Sequence, residues 1–394
     1  FGTPVQLFIK NNQVIKILPG YEKATYKTNW ISDKTRFSFD GMFSPERIVY
    51  SFLNNNQKES FLNLSWQKLF KEFFCTLYFQ NHLLKHYFHP CNITICLNKN
   101  ISIEVLNLLY ILTHKHSFFK LKQSESSNLN IDLEENYLLN SNLDENKLIT
   151  SDTCILLGVN PRYEGSKLNL KLKSRYLKGN FNVITIGSLF NLTFSSITLS
   201  SNIQILKSLV EGNNLFCQEF INSSNPIVIS NAEIFKREDA YGLSNMIKSL
   251  TKYINLYSQI KGQSQLNILN PTLNDVGFAN FNNIKTINNK DFRNSAGIYF
   301  INSSFSTSNL KKLLNLKLLN FFQNYKHKNK LLITQDSNLE MTQLAKLKKS
   351  FDVTNHLHLP NTVFFENSGT YINTEGNINK VVKIITPLGQ AKSD

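Results

Sequence analysis

From Asn92 onwards, short apolar runs of strand length alternate with stretches of helix length, and this alternation limits the folds open to the chain more than any other feature. Asn92–Leu97 reads as a strand and 101–113 as a helix. The run 153–157 reads as a buried strand, followed by a basic helix over 167–178 and a strand over 182–186. A helix starting near Ile203, a strand over 226–230 and a helix over 240–257 continue the pattern. It returns with strands at 297–301 and 331–334 and helices at 310–325 and 342–350. Strands that alternate with helices in this way form βαβ units around a parallel sheet. No internal repeat of fixed period is present.

Other segments fill in the organisation. Val5 to Leu18 alternates like a hairpin with its turn at Asn11-Asn12. Ser65 stands as an N-cap before a helix running from Trp66 towards His86. The polar stretch 118–148 is expected to be loop-rich, and Val381-Val382-Lys383-Ile384-Ile385 to be a strand after a loop. With 394 residues, 41% hydrophobic and 12% aromatic, the chain can bury a sizeable core and is not a disordered polymer. No apolar run of about 18 residues suggests a membrane span.

The formal charge of +15 arises from 43 Lys and Arg against 28 Asp and Glu. The excess is scattered lysine, as at Lys311, Lys312 and Lys317, without a nucleic-acid-binding signature. Phe, Leu, Ile, Asn and Lys are abundant while Gly (15) and Pro (9) are sparse, a bias towards AT-rich codons seen in some organellar genomes. The first residues show no Arg- and Ser-rich amphipathic start; an organelle-encoded protein would need none, and a trimmed terminus would look the same.

Metal and cofactor chemistry has little to work with. The five cysteines are Cys75, Cys91, Cys96, Cys154 and Cys217, and only Cys91 and Cys96 lie close together, Cys96 within an apolar strand. Iron–sulfur clusters need several converging thiolates. His82, His86, His89, Cys91 and Cys96 form one metal-like constellation, with His82 and His86 four apart; cations ending a helix and core cysteines explain it better. His356 and His358 share a face of a strand, where ordinary polar exposure accounts for them. No Gly-x-Gly-x-x-Gly or Walker sequence occurs.

Four separated segments occur in a telling order. They are Asn29-Trp30-Ile31-Ser32-Asp33-Lys34-Thr35-Arg36-Phe37, Asn136-Tyr137-Leu138-Leu139-Asn140, Leu156-Leu157-Gly158-Val159-Asn160-Pro161-Arg162-Tyr163-Glu164, and Gly369-Thr370-Tyr371-Ile372-Asn373-Thr374-Glu375-Gly376-Asn377-Ile378-Asn379. In this order the chain resembles the C-terminal, molybdopterin-oxidoreductase-like part of the large iron–sulfur (NuoG-type) subunit of respiratory complex I, NADH:ubiquinone oxidoreductase. The resemblance runs from Val14 to Gly389.

It implies an α/β fold of the formate dehydrogenase-like kind, with parallel sheets, flanking helices and a short N-terminal β-hairpin lobe. The organisation expected is a lobe over 1–45 docking to the iron–sulfur half, a first α/β part over 46–150 with a polar insertion, a doubly wound part over 151–360, and a loop and strand over 361–394. Cluster-bearing members of the wider superfamily carry Cys where this chain has Ser32, and relatives have Arg where it has Asn377. The Gly158–Arg162 loop is then a strand-to-helix turn kept after its ligand was lost. Gly369 and Gly376 are expected to permit tight turns and Glu375 to be a buried hydrogen-bonding carboxylate.

The resemblance thus implies a structural chain with no catalytic, cofactor-binding or metal-binding residues and no cofactor of its own. Iron–sulfur clusters and FMN are expected in neighbouring chains. The expected partners are a separate iron–sulfur half of the same subunit and other core and accessory subunits of the matrix arm, with no nucleic acid and no membrane span. The implied location is the matrix side of the mitochondrial inner membrane, with mitochondrial encoding compatible with the codon bias. The family continues beyond Thr386-Pro387, so its C-terminal helical piece is expected to be lost, separate or outside these residues. Two rival readings stay open: a working molybdopterin-dependent oxidoreductase, with pterin in its cleft, and an organellar nucleic-acid-binding protein, with salt-sensitive binding.

Overall fold

A computed structural model describes residues 2–23, 26–27, 30–44, 46–55, 58–60, 65–71, 92–124, 145–188, 191–237, 239–257, 266–270, 272–281, 284–287, 291, 295–302, 330–338 and 353–394. The chain opens with an antiparallel hairpin, β1 (Val5–Lys10) and β2 (Gln13–Pro19), turning at Asn11 and Asn12 with φ of 50° and 61°. Paired left-handed residues make the turn type that matches strand twist, and asparagine tolerates it. The short β3 (Tyr21–Lys23) and β4 (Tyr26–Lys27) follow, then the one-turn helix α1 (Asp33–Arg36).

The hairpin lobe closes on the other end of the chain. Val14, Ile17, Ile31 and Met42 share a core cluster with Phe365 and Ile385. Asn12 and Thr386 add a reciprocal pair: Thr386 N donates to Asn12 Oδ1 at 2.9 Å, and Asn12 Nδ2 donates to the Thr386 carbonyl at 3.3 Å.

The next strands are β5 (Phe52–Asn55) and β6 (Lys58–Ser60), followed by helix α2 (residues 66–71), β7 (Asn92–Leu97), α3 (Ile103–Lys115) and β8 (Phe119–Gln123). After α4 (Glu145–Thr150) comes the βα run β9 (Thr153–Leu157), α5 (Pro161–Glu164), α6 (Ser166–Leu177), β10 (Asn182–Ile186) and β11 (Ile197–Thr198). Then follow α7 (Gln204–Val210), α8 (Cys217–Asn222), β12 (Pro226–Asn231), α9 (Ala240–Tyr257), β13 (Leu266–Leu269) and α10 (Asp275–Ala279). The last strands are β14 (Ser295–Ile301), β15 (Lys330–Asp336), β16 (Val353–Pro360), β17 (Gly369–Ile372) and β18 (Ile378–Val381).

Two large sheets organise these elements. The first has order β11-β10-β9-β12-β13 and is parallel throughout. Its inner strands are predominantly apolar and almost wholly buried, as parallel strands covered on both faces are. Ile155, Leu156, Ile184, Val228 and Ile229 are fully buried there, with Leu172 of α6 and Ile247 of α9. Each such side chain contributes about 1.5–3 kcal/mol on burial. Helix α9 shows the stripe that packs it: Leu243, Ile247, Leu250 and Ile254 are buried while Tyr241, Tyr253 and Leu256 face out.

The second sheet has order β6-β5-β16-β15-β14-β7-β8. Its strands from β16 to β8 run parallel, and the β5–β6 hairpin adds an antiparallel edge. It combines strands from 52–123 with strands from 295–360, so the chain leaves this sheet, builds the five-stranded one, and returns.

Some sequence expectations need correction. The polar stretch after residue 118 contains β8 and, at its end, α4. Phe119-Lys120-Leu121-Lys122 alternates as an edge strand does, and its lysines hid the period. Strand β13, Leu-Asn-Ile-Leu, carried too little length to stand out. The strand expected at 381–385 lies earlier, as β18; Ile384 N and Ile385 N instead donate to the Phe365 carbonyl at 3.0 and 3.2 Å. His358 is fully buried and hydrogen-bonded to Thr334, not exposed, because β16 is flanked by β15 and β5. The expected helices at 310–325 and 342–350, and most of the one after Ser65, lie outside the described residues.

Candidate functional site

In the five-stranded sheet the chain runs from β9 outwards through β10 to β11, then crosses back to β12 on the other side of β9. The carboxyl ends of β9 and β12 therefore flank a topological switch point, the place where open α/β sheets bind ligands. The Gly158–Arg162 loop lies here. Gly158 follows β9 with φ of +60°, a conformation that side-chain-bearing residues rarely adopt, and a Cβ there would press on Ile234 Cδ1 at 3.2 Å. Gly187, after β10, packs on Gly158: a Cβ on it would sit 3.3 Å from the Gly158 Cα. The Gly158 amide is already used, donating to the Ile186 carbonyl at 2.8 Å.

Asn160 is the N-cap of α5, accepting from Arg162 N at 3.2 Å, with Pro161 at the first helical position. The Asn160 amide donates to Glu164 Oε2 at 3.1 Å. Glu164 Oε1 accepts from Asn231 Nδ2 at 3.0 Å, and Asn231 Oδ1 accepts from Glu233 N at 2.9 Å. Glu164 is exposed as a residue, but its carboxyl end folds back under Asn160 and Asn231. Desolvation of that carboxyl, reinforced by the charge of Glu233, holds it above the usual carboxylate range against these two hydrogen bonds. The amides of Gly158, Asn160 and Arg162 are thus satisfied by the chain's own groups. Arg162 points away, donating to the Asn191 carbonyl at 3.3 Å.

The 369–379 segment forms the hairpin β17–β18. Thr370 N and Oγ1 donate to Glu104 of α3 at 3.0 and 2.5 Å. Burial would raise the Glu104 pKa, and these bonds outweigh it to lower it. Asn274 is completely buried beneath the hairpin; its Nδ2 donates to the Ile101 carbonyl at 2.8 Å and its Oδ1 accepts from Ile372 N at 3.2 Å. At the tip, buried Asn373 Oδ1 accepts from Glu375 N and Asn377 N at 3.0 and 2.8 Å.

Asn373, not Glu375, is therefore the buried turn residue. Glu375 is half-buried, reaching Lys171 of α6 at 3.9 Å and accepting from Asn377 Nδ2 at 3.4 Å. Gly376 does adopt a left-handed turn, with φ of +77°. Gly369 begins a strand instead, and its lack of a side chain serves a close approach: a Cβ would meet Ser102 Cβ at 2.6 Å.

Ser32 is the N-cap of α1, its Oγ accepting from Thr35 N at 3.3 Å. Cys96 and Cys154 are fully buried in strands, and burial pushes both thiols well above their ordinary pKa. Cys217 is half-buried, with Sγ directed to the Leu209 carbonyl at 3.5 Å. Cys75, Cys91, His82, His86, His89 and the 136–140 segment lie outside the described residues. Among the described residues no three His, Cys, Asp or Glu side chains converge as a metal site, and no helix is long and apolar enough to cross a membrane. Glu164, Asn231 and Asn274 were not singled out by sequence. Asparagine at a strand end before a helix is the signal that could have found the first pair.

The molybdopterin oxidoreductase family model matches residues 47–394, covering both sheets and the two segments at their edges. The chain belongs to the molybdopterin oxidoreductase family. The α/β fold expected from sequence is the fold of that family. Among solved structures, acetylene hydratase from Pelobacter acetylenicus aligns with 99% of this chain and 66% of its own at a TM-score of 0.52 and 12% identity, a likeness of fold alone.

The curated relatives are named for the respiratory enzyme. The NADH-ubiquinone oxidoreductase 75 kDa subunit of Reclinomonas americana is 28% identical over 70% of this chain and 40% of its own length. The NADH-quinone oxidoreductase G subunit of Rickettsia typhi is 26% identical over the whole of this chain and 52% of its own. That of Rickettsia prowazekii matches to the same extent. The chain spans about half the length, or less, of these relatives.

Proposed function

We infer that this molybdopterin oxidoreductase domain is a structural part of the large subunit of NADH:ubiquinone oxidoreductase and carries out no chemistry itself. The observation that supports this most is its similarity over its whole length to the G subunit of NADH-quinone oxidoreductase. Its partners are the iron–sulfur half of the same subunit and other subunits of the matrix arm. It acts on the matrix side of the mitochondrial inner membrane, and the clusters and FMN belong to its neighbours.

The chemistry of the switch point favours a domain without its pterin. A pyrophosphate-bearing cofactor needs free amides or cations at the carboxyl ends of the strands. Here the Asn160 amide is held by the carboxylate of Glu164, with Glu233 beside it, so an added anion would meet negative charge. Lys171 is committed to Glu375 and Lys99 to Asp275. These residues do not fit an anionic dinucleotide at this turn. The Ser32 hydroxyl is likewise engaged in capping α1.

The test is purification under mild detergent from the native source, with metal analysis of the same sample. Co-migration with an NADH-oxidising assembly that lacks molybdenum is the expected result. A free chain carrying molybdenum and pterin would overturn it.

A further inference from the structure

The carboxyl ends of β14, β15 and β16 lie side by side, and the side chain of Asp394 reaches all three. Asp394 Oδ1 accepts from Asn361 Nδ2 at 2.5 Å and from Gln335 Nε2 at 3.3 Å, while its Oδ2 accepts from Asn302 Nδ2 at 3.4 Å. Gln335 Oε1 in turn accepts the Tyr299 hydroxyl. The segment leading to Asp394 is seated by Gln390 N donating to the Val49 carbonyl at 2.9 Å, by Lys392 N donating to the Pro360 carbonyl at 3.4 Å, and by Trp66 Nε1 donating to the Gln390 carbonyl at 2.8 Å. Beside it, Asp336 ends β15, buried, with Oδ1 accepting from Ser337 N at 3.1 Å.

The described donors to the Asp394 carboxylate at this edge are neutral amides. Among the described residues, the ion pairs of Lys and Arg go to other carboxylates than Asp336 and Asp394. Among the described residues, the titratable groups facing them include Tyr299 of β14, raised by burial and by Asp394, and Tyr371 of β17, pushed up to about 12 by burial, Asp394 and Glu104 of α3. Neutral amides stabilise one carboxylate; two neighbouring carboxylates out of water cannot both ionise without strain.

We propose that Asp336 and Asp394 form a proton-operated latch, which holds residues 388–394 against the ends of β14, β15 and β16 while at least one carboxyl is protonated and loosens that segment when both are ionised. Burial pushes Asp336 up to about 7, with Asp394 adding to the shift. Burial likewise pushes Asp394 up to about 6, opposed by the bonds from Asn361 and Asn302. A carboxyl whose pKa is raised on docking binds its proton more tightly in the docked state. Its contribution is complete below the ordinary value of 3.8 and is lost as the pH rises through about 6 and about 7. The latch therefore opens on the neutral side, and it does not depend on which assembly the chain belongs to.

The test is amide hydrogen exchange read by mass spectrometry on the full chain, in whatever assembly it purifies with, between pH 4.5 and pH 8.5, corrected for intrinsic exchange. Protection of peptides covering 388–394 is expected to fall on the order of tenfold or more over this range, each unit of pKa shift being tenfold in equilibrium. Peptides from β9 serve as the unchanged reference. Asp336→Asn, which keeps shape and removes one charge, is expected to flatten the profile, and Asp394→Asn to do the same. Constant protection in the unaltered chain overturns the latch, as does a fall of equal size in both variants.

Discussion

The carboxylate of Glu164 accepts the amide proton of Asn160 at 3.1 Å, so the turn after β9 supplies its own anion. The same side chain ties Asn231 at the end of β12, and the two strands that flank the switch point are joined by one acidic residue. The geometry of a ligand-binding turn is kept while its electrostatics are reversed.

Replacing Glu164 with Ala is expected to destabilise the chain by about 0.5–2 kcal/mol, the usual range for a lost cap interaction. Denaturant unfolding measures this. Glu164→Gln should lose less, since an amide oxygen still accepts from Asn160, and no loss in Glu164→Ala would show that the contact is incidental.

Asn274 is fully buried and joins the loop at Ile101 to Ile372 of the β17–β18 hairpin. Asn274→Ala strands the Ile372 amide and the Ile101 carbonyl, at about 1–3 kcal/mol for each unsatisfied group. A lowered denaturation midpoint together with faster hydrogen exchange at 369–372 is the expected outcome. A lower midpoint without local exchange would mean that the hairpin is held by other contacts.

Arg47 and Glu366 form a buried ion pair, with side-chain exposures of 5% and 1%. Arg47→Met alone should destabilise by about 3–5 kcal/mol by leaving a buried charge, and the double change Arg47→Met with Glu366→Leu should recover much of it. Thermal unfolding of the two variants decides; equal loss in both would contradict the pairing.

Gly369 has no room for a methyl group, its Cβ position lying 2.6 Å from Ser102 Cβ. Gly369→Ala is expected to cost about 1–3 kcal/mol as overpacking. Adding Ser102→Gly should relieve part of that loss in a double-mutant cycle. Failure to couple would place the strain elsewhere.

Lys99 and Asp275 lie 2.5 Å apart, nearly buried, and the ion pair with the bonds from Thr272 outweighs the burial that would raise Asp275, so its pKa is lowered. Its stabilisation is present above the ordinary value of 3.8 and is lost as the pH falls through the depressed one. Unfolding followed from pH 5 downwards should show an acid-side loss that is smaller in Lys99→Met. An identical acid limb in that variant would remove the pair as its cause.

Much of the fold was written in local pattern. The runs at Thr153–Leu157 and Asn182–Ile186 were legible because a parallel strand covered on both faces is predominantly apolar rather than alternating, and the 240–257 helix because its stripe keeps a helical period. The Asn11-Asn12 turn was legible because few residues accept positive φ. Tertiary structure alone decided that strands of 52–123 and 295–360 share one sheet, since pairing across such separations leaves no mark on local periodicity. It also decided that His358 is buried and Glu375 is not, because exposure of a polar side chain depends on which elements close over it. Glu164 turns onto Asn160 for a reason visible in four residues, but Asn231 reaches it only because β9 and β12 are neighbours in space.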